Sequence, residues 1–277
     1  VVEFHFRPHG DADVFRIGLG EEHFEMLEEN QLVVQGMMAS KYLATFEEEV
    51  TGWQRKLGNI SDVLAQMSEV QRKWAYLETL FIGSEEVKRE LPADAERFKS
   101  IDSTFKQVLK GFLESKNCVK SCSRDGLMKE LEGLASDLEL CEKALADFLE
   151  AKRRIFPRFY FVSQTMLLDV LSNGNRPWVV AKHVNAMFQG VKELELKGDP
   201  QTTVSAMISN EGEHLKLEMT GALTMNGKVE NYLNDLIVKM RAEMRVQLGR
   251  AHTDYAGRVR TEWRKAPVAQ LVPVTTQ

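Results

Sequence analysis

The chain has 277 residues, of which 43% are hydrophobic and 28% are charged, a composition typical of a folded, water-soluble protein. Its formal net charge of -5 argues against a broad basic surface for nucleic acid. The 7 prolines and 18 glycines are few for this length, which argues against β-sandwiches and collagen-like repeats. The composition therefore predicts a mainly α-helical protein with no nucleic-acid partner.

The cysteines and the start of the chain bear on its compartment. Cys118, Cys122 and Cys141 are too few, and odd in number, for a disulfide framework, so we expect a reducing, cytosolic setting. No histidine stands near them at zinc-ligand spacing, so no metal site is predicted. The chain begins without Met and without a signal-peptide run, which predicts a fragment of a longer protein. No stretch approaches the roughly 20 apolar residues that cross a bilayer, so no membrane contact is predicted.

Residues 1–20 are predicted to form a short β hairpin. Val2, Phe4 and Phe6 alternate with polar residues, which is typical of a strand. Residues 14–19 can return as the second strand after a turn.

Residues 21–155 are predicted to form an N-terminal helical bundle. The first helix begins at Glu21 and is expected to run to about Leu57. Four apolar stripes follow one another, each with residues at alternating steps of three and four. They are Leu43, Phe46, Val50, Trp53 and Leu57; Val63, Met67, Val70, Trp74, Leu77 and Phe81; Phe98, Ile101, Phe105, Val108 and Phe112; and Leu127, Leu131, Leu134, Leu138, Cys141, Leu145 and Phe148. Such spacing keeps each stripe on one side of a helix, which must then be buried against a partner.

Short breaks separate these stripes. Turn-forming residues stand at Gly58-Asn59, Gly83-Ser84, Pro92 and Asp125-Gly126. Short connections favour antiparallel neighbours, so the prediction is elongated antiparallel helical bundles.

Residues 156–266 are predicted to form a second helical part. Pro157 stops the preceding helix, and Ser163 is a plausible N-cap for the next one. Alternation of apolar and polar residues between about 191 and 219 predicts a small antiparallel β meander inserted among the helices. Helical spacing returns after Asn226-Gly227, and residues 267–277 are predicted to be a truncated connection.

The sequence contains no recognised catalytic motif. The nearest sequence to a phosphate loop, Gly221–Val229, has five residues between its glycines where a P-loop has four, and Val229 replaces the Ser or Thr that holds Mg²⁺. The histidines form no His-Glu-x-x-His motif, and no nucleophile elbow occurs. The sequence therefore predicts no catalytic residues and no cofactor.

A cationic cluster follows the longest stripe. Lys152, Arg153, Arg154 and Arg158 could dock an acidic partner surface. The alternative is that they compensate the negative end of the helix while remaining solvated. Composition favours the second interpretation.

The stretch from Glu150 to Ser163, which contains Phe-Pro-Arg-Phe-Tyr-Phe, resembles the signature of the dynein heavy-chain linker. The similarity extends from about Val1 to Arg264. Further matching stretches are Leu167–Ser172, Trp74–Phe81, Leu91-Pro92, Phe98–Asp102, Asn210–Glu213 and Gly227–Leu233. Those at Leu27–Gln31, Ser40-Lys41 and Trp53-Gln54 look closest to axonemal, outer-arm heavy chains.

This resemblance implies a mechanical and non-catalytic part. In that family the linker is a mostly helical lever arm that bends and straightens over a ring of AAA+ modules to drive microtubule-based motility. The implied partners are the ring of the same heavy chain and the dynein tail with its associated chains. Microtubules would be reached only through the parent motor. The implied location is the cytoplasm and cytoskeleton, in the axoneme of a cilium or flagellum. The alternative is a generic helical scaffold or tethering bundle with no motor role.

The signature stretch is also the candidate hinge of such an arm. Its members are Arg153, Arg154, Phe156, Pro157, Arg158, Phe159, Tyr160, Phe161 and Ser163. A proline ends the helix there, and the aromatic residues could pack against both flanks. In the alternative interpretation, Pro157 turns the chain inside a single core.

Overall fold

The computed structural model describes residues 3–10 and 14–263. It divides the chain into two compact units, Val1–Leu145 and Ala146–Gln277. The predicted class, mainly α with a small antiparallel β meander, is confirmed. The predicted strand residue Val2 and the predicted connection at 267–277 lie outside the described residues.

The first unit begins with an antiparallel hairpin of two short strands. Strand β1 (Phe6–Pro8) pairs with β2 (Phe15–Ile17), and Phe6 lies opposite Ile17. Six helices follow, the last of which continues into the second unit. They are α1 (Glu21–Met38), α2 (Glu47–Phe81), α3 (Glu85–Glu90), α4 (Pro92–Ser115), α5 (Cys118–Cys122) and α6 (Leu127–Ile155).

The prediction of one helix from Glu21 to Leu57 is wrong. Helix α1 ends at Met38, and a short 3₁₀ turn at Leu43–Thr45 leads into α2. The turn folds α1 back along α2, and Gln31 Nε2 on α1 donates to the Leu57 carbonyl on α2 at 3.2 Å. The gain in buried surface is small, because Leu27 is the one side chain of α1 that is buried.

The predicted break at Gly58-Asn59 is also wrong, because α2 continues through it for a total of 35 residues. A glycine inside a helix costs about 1 kcal/mol, which is less than the gain from burying the residues that follow it. Ile60 is only 3% exposed, and the Asn59 side chain donates to the Cys122 carbonyl at 2.8 Å. The predicted breaks near Ser84, Pro92 and Gly126 are present.

The core of the first unit is formed by the stripes on α2, α4 and α6. Trp74, Phe105 and Leu131 each have no exposed surface. The Trp74 ring lies 5.1 Å from the Phe105 ring, and the rings of Phe81 and Phe98 stack at 5.4 Å. The stripes on α2 from Val63 onwards and on α4 are buried as the sequence predicts, and so is the stripe on α6 from Leu127 to Leu145. Phe148 is only half-buried, and Leu149 is buried in its place.

The second unit combines short helices, a sheet and one long helix. Its elements after α6 are a 3₁₀ turn (Pro157–Phe161), α7 (Gln164–Ser172), α8 (Pro177–Val180), a 3₁₀ turn (Ala181–His183), α9 (Val184–Met187), the strands β3 (Val191–Lys197), β4 (Thr203–Ser209), β5 (His214–Lys216) and β6 (Leu223–Thr224), and the helices α10 (Val229–Gly257) and α11 (Arg260–Trp263). Strand β4 is central. It pairs with β3 on one edge and with β5 and β6 on the other, always antiparallel.

Candidate functional site

The signature segment lies where α6 ends and the 3₁₀ turn begins. The Phe156 amide donates to the Lys152 carbonyl at 3.0 Å, which completes the last turn of α6. Pro157 then takes the first position of the 3₁₀ turn, where a missing N–H breaks no helical hydrogen bond. The Phe159 amide donates to the Phe156 carbonyl at 3.0 Å. The sequence therefore folds this segment into a tight corner that is held by backbone hydrogen bonds on both sides of Pro157.

Two aromatic members of the segment belong to the core of the second unit. Phe156 and Phe159 have no exposed surface, and their rings meet edge to face with centroids 4.8 Å apart. The Phe156 ring also lies 6.3 Å from the Phe188 ring. These two phenylalanines hold the corner in place by burial.

Arg158 is tied to the end of α9. Its Nη1 donates to the Met187 carbonyl at 3.0 Å, and its guanidinium stands 4.5 Å from the centroid of the Phe188 ring. Burial and the neighbouring Arg241 lower the pKa of Arg158 from its ordinary value. The side chain is half-buried, so it clamps the corner to α9 as well as facing solvent.

The remaining members form an exposed face. The Tyr160 hydroxyl donates to Glu150 Oε1 at 2.7 Å, and this bond raises the pKa of Tyr160. The guanidinium of Arg153 lies 5.9 Å from the Tyr160 ring, and Arg154 pairs with Glu150 at 3.5 Å. Phe161 is 76% exposed. The exposed residues of this face are Arg154, Tyr160 and Phe161, and the half-buried Arg153 lies near the Tyr160 ring.

Ser163 ends the segment and caps the next helix, as predicted. Its hydroxyl oxygen accepts from the Met166 amide at 3.3 Å, which satisfies one of the free donors at the start of α7.

The ion pair between Lys152 and Glu230 was not predicted from the sequence. Lys152, interpreted there as a solvated helix-end charge, is only 6% exposed, and its Nζ lies 2.8 Å from Glu230 Oε1. Glu230 stands at the start of α10, 78 positions away, and is itself 2% exposed. No local pattern could have indicated this pair. The solvated interpretation is wrong for Lys152.

The contacts of the signature segment are apolar packing, hydrogen bonds and ion pairs. Among the described residues, no group of three or more His, Cys, Asp or Glu side chains could hold a metal ion. The stretch Gly221–Val229, which is the nearest to a phosphate loop in sequence, contains β6, and β6 is paired with β4. Across residues 3–10 and 14–263, no helix combines the length and apolar character needed to span a bilayer.

The hinge role of the segment stays a prediction. Both flanks of Pro157 lie in the second unit, and the division between the units falls within α6, between Leu145 and Ala146. The predicted boundary at residues 155 and 156 likewise stays a prediction.

Comparison with known proteins gives consistent matches along the chain. A family model described as dynein heavy chain, N-terminal region 2, matches residues 1–251. The dynein alpha chain of the flagellar outer arm of Chlamydomonas reinhardtii is 46% identical over all of this chain. A ciliary dynein beta chain of Tripneustes gratilla is 39% identical, and the human dynein axonemal heavy chain 17 is 38% identical, each again over all of this chain.

These relatives are much longer than the chain, which spans only 6% of the length of each. Their names are axonemal, ciliary and flagellar, and one names the outer arm. The predicted resemblance to axonemal outer-arm heavy chains and the predicted setting in the cytoskeleton of a cilium or flagellum are therefore confirmed. The chain belongs to the dynein heavy chain family, in which it corresponds to N-terminal region 2.

Proposed function

We propose that this chain is the non-catalytic linker of an axonemal dynein heavy chain, a lever arm that bends and straightens over the AAA+ ring of the same heavy chain. The observation that carries the proposal is the family match over residues 1–251 together with the signature segment Glu150–Ser163. The parent protein would be an ATP-driven microtubule motor, and this region would transmit force without hydrolysing ATP.

The long helices suit such a part. Helix α2 has 35 residues and α6 has 29, which at 1.5 Å per residue gives lengths of roughly 50 and 40 Å. In the first unit, α2 packs its apolar stripe against α4 with Trp74 and Phe105 in contact. Side chains packed at crystal-like density resist compression, so a load applied to one helix is passed to its neighbours.

The expected partners follow from this role. They are the AAA+ ring, the dynein tail and its associated chains, with microtubules engaged only through the rest of the motor. The exposed face formed by Arg154, Tyr160 and Phe161 is the part of the signature segment that is open to such a partner.

The candidate hinge is part of the proposal. A bend at residues 153–163 has to keep Phe156 and Phe159 buried, because exposing a core phenylalanine costs about 2–3 kcal/mol for each ring. Two states that exchange readily differ by only a few kcal/mol. We therefore expect any bending here to occur at the exposed members of the segment while the two buried rings stay in the core.

The test uses the complete heavy chain. A donor dye is placed at Glu132, which is exposed on α6 in the first unit, and an acceptor is placed on the first ring module. A lever arm predicts that energy transfer changes between the ATP-bound and nucleotide-free motor. The matched control carries both dyes within the first unit, at Glu132 and at Lys99, which is exposed on α4, and should show no change.

The same energy-transfer measurement distinguishes a lever arm from a helical scaffold with no motor role. Energy transfer that is the same in every nucleotide state, in a motor that still hydrolyses ATP, would overturn the lever-arm role. The region would then be a static scaffold within the heavy chain.

A further inference from the structure

Two of the three cysteines stand together on one short helix. Cys118 and Cys122 are the first and last residues of α5, which is little more than one helical turn. Residues four positions apart on a helix lie on the same side of it, with about 5–6 Å between their Cβ atoms. The two thiols are in hydrogen-bond contact, and both are free. The fold therefore holds a pair of neighbouring thiols, which we call the α5 dithiol.

The two thiols differ in their access to solvent. Cys118 is partly exposed, and it lines a space of about 260 Å³ beside the hairpin that α1 forms with the first part of α2. Cys122 is only 1% exposed. A small reagent that approaches α5 therefore meets Cys118 first.

The same two thiols differ in acidity. The hydrogen bond with Cys122 lowers the pKa of Cys118 from its ordinary value, although burial opposes this change. The contact with Cys118, together with burial, raises the pKa of Cys122. Because the thiolate is the nucleophilic form, Cys118 is the reactive member of the pair. An accessible cysteine with a lowered pKa beside a second thiol is typical of a redox-sensing site.

Cys141 shows how a cysteine of the same unit behaves when it only fills the core. It has no exposed surface, and its Sγ donates to the Asp94 carbonyl at 3.8 Å. Burial raises the pKa of Cys141. Cys118 differs from Cys141 in exposure, in the direction of its pKa shift and in having a second thiol as its neighbour. Core packing alone does not account for the α5 dithiol.

We propose that the α5 dithiol is a modification site, which a hydroperoxide oxidant such as hydrogen peroxide converts reversibly into a disulfide between Cys118 and Cys122. The inference goes beyond the lever-arm role and does not depend on it. In the reducing setting expected for this chain, such a disulfide forms transiently and is broken again by exchange with thiol reductants.

The conversion takes two steps. The Cys118 thiolate attacks one oxygen of hydrogen peroxide, the O–O bond breaks, and the departing hydroxide takes up the proton that Cys118 lost, which leaves a sulfenic acid and one water. The Cys122 sulfur then attacks the Cys118 sulfur. The S–S bond forms, the S–O bond breaks, and the hydroxyl group leaves as water with the proton of Cys122. The two sulfurs lose two electrons, which reduce the peroxide to two waters.

The first step prepares Cys122 for the second. The largest cause of the raised pKa of Cys122 is its contact with Cys118. Once Cys118 is a neutral sulfenic acid, the negative charge that opposed ionisation of Cys122 is gone. Cys122 then becomes more acidic at the stage when it has to act as the nucleophile.

The disulfide requires a local change in α5. The Cβ atoms of a disulfide lie about 3.5–4.5 Å apart, which is closer than their spacing on a regular helix. A helix of five residues has little stability of its own, so it can adjust without disturbing a long helix. The Asn59 side chain donates to the Cys122 carbonyl at 2.8 Å, and the Phe4 amide donates to the Lys116 carbonyl at 3.0 Å. Oxidation is thus expected to loosen the attachment of α5 to α2 and to the N-terminal segment.

The experiment treats the reduced 277-residue chain with hydrogen peroxide and reads the products by mass spectrometry. Trypsin cleaves after Lys116, Lys120 and Arg124, so the disulfide joins the peptides of residues 117–120 and 121–124. We expect this linked pair of peptides, with the loss of two hydrogen atoms from the intact chain. Dithiothreitol should reverse both changes, and Cys141 should remain a thiol throughout.

Three variants assign the two steps. Cys118→Ser should leave Cys122 as a thiol after peroxide treatment. Cys122→Ser should stop at the sulfenic acid of Cys118, which dimedone traps. Cys141→Ser is the matched control and should form the disulfide at an unchanged rate. Circular dichroism checks that every variant is folded, and the linked peptides of the unsubstituted chain test the proposal even if a variant is not.

A second measurement tests the pair without oxidation. Phenylarsine oxide bridges two neighbouring thiols through one arsenic atom. One equivalent should bind the unsubstituted chain and Cys141→Ser. Binding should weaken at least about a hundredfold in Cys118→Ser and in Cys122→Ser, because the second thiol contributes through its high local concentration.

Four results would overturn the proposal. The first is a Cys118 that remains a thiol at peroxide concentrations that oxidise N-acetylcysteine. The second is a Cys118 that accumulates as sulfinic acid while Cys122 stays reduced. The third is a disulfide that joins two chains or involves Cys141. The fourth is phenylarsine oxide binding that is equal in the unsubstituted chain and in Cys122→Ser.

Discussion

Lys152 and Glu230 form a buried ion pair, with 2.8 Å between Nζ and Oε1 and with 7% and 3% of their side chains exposed. The pair joins the last turn of α6 to the first turn of α10, directly before the Phe156 corner. Both charges have lost their water, so each depends on the polar groups around it. The ion pair thus fixes the end of α6, where the signature segment begins, to α10, and it forms only when the second unit is folded.

Removing one member of this pair should destabilise the chain strongly. We expect Lys152→Met or Glu230→Gln to cost about 3–5 kcal/mol in the free energy of unfolding, because the remaining polar group stays buried with its main charge partner gone. Replacing both residues with Met should recover most of that loss. Urea denaturation followed by circular dichroism measures each variant.

The matched control is the exposed pair of Lys99 and Glu96, whose side chains are 62% and 73% exposed. Lys99→Met should cost less than about 1 kcal/mol. Equal losses at Lys99 and Lys152 would show that Lys152 is not buried as described.

Trp74 and Trp53 should lose different amounts of stability on the same substitution. Trp74 has no exposed surface, and its Nε1 donates to Asp102 Oδ1 at 2.9 Å. Trp74→Ala should therefore cost about 3–5 kcal/mol. Trp53→Ala should cost clearly less, about 1–2 kcal/mol, because Trp53 is 48% exposed and has only part of its ring surface to lose. Thermal unfolding of the two variants, measured side by side, tests whether Trp74 is the core residue of the pair. An unchanged melting temperature for Trp74→Ala would contradict that assignment.

These two tryptophans also show what the spacing of apolar residues predicts and what it does not predict. Trp74 and Trp53 both stand in stripes with the spacing of a packed helix, and the spacing identifies a helix in each case. Burial needs a partner surface, which the α2 segment around Trp74 finds on α4 and the segment around Trp53 lacks within the hairpin. A single sequence gives the apolar side of a helix but not what covers it.

The helix boundaries show a similar limit. The turn after Met38 contains no proline or glycine up to Glu47, so no breaker marks it. Gly58 is a weak breaker that tertiary packing overrides. In the signature segment, the cap at Ser163 was predictable because a cap is local. The Lys152–Glu230 and Arg158–Phe188 contacts were not, because they join residues far apart in the chain.

Cys118 should be the most reactive of the three free cysteines. A hydrogen bond with the Cys122 thiol lowers the pKa of Cys118, while that contact and burial raise the pKa of Cys122. Burial also raises the pKa of Cys141. Since the thiolate is the reactive form, a lowered pKa shifts the onset of alkylation to lower pH.

The measurement is alkylation with iodoacetamide across a pH series, read by mass spectrometry of peptides. Cys118 should reach half its maximal rate below the ordinary thiol pKa of about 8.5, and Cys122 and Cys141 should stay unmodified in the folded chain at that pH. Cys122→Ser should move the Cys118 profile to higher pH if the thiol contact is the cause. A profile for Cys118 that already lies above that of an ordinary thiol would contradict the assignment.

Phe156 and Phe161 stand five positions apart in the signature segment and should have separable roles. Phe156 has no exposed surface, so Phe156→Ala should cost about 3–5 kcal/mol in the free energy of unfolding. Phe161 is 76% exposed, so Phe161→Ala should cost less than about 0.5 kcal/mol. If the exposed face serves the lever arm, Phe161→Ala in the complete heavy chain should slow microtubule gliding while the melting temperature of the isolated chain stays the same.

Tyr160→Phe keeps the ring and removes the hydroxyl that contacts Glu150, so it separates ring contact from hydrogen bonding on the same face. Gliding that is normal in both exposed-face variants would confine the segment to holding the core of the second unit together.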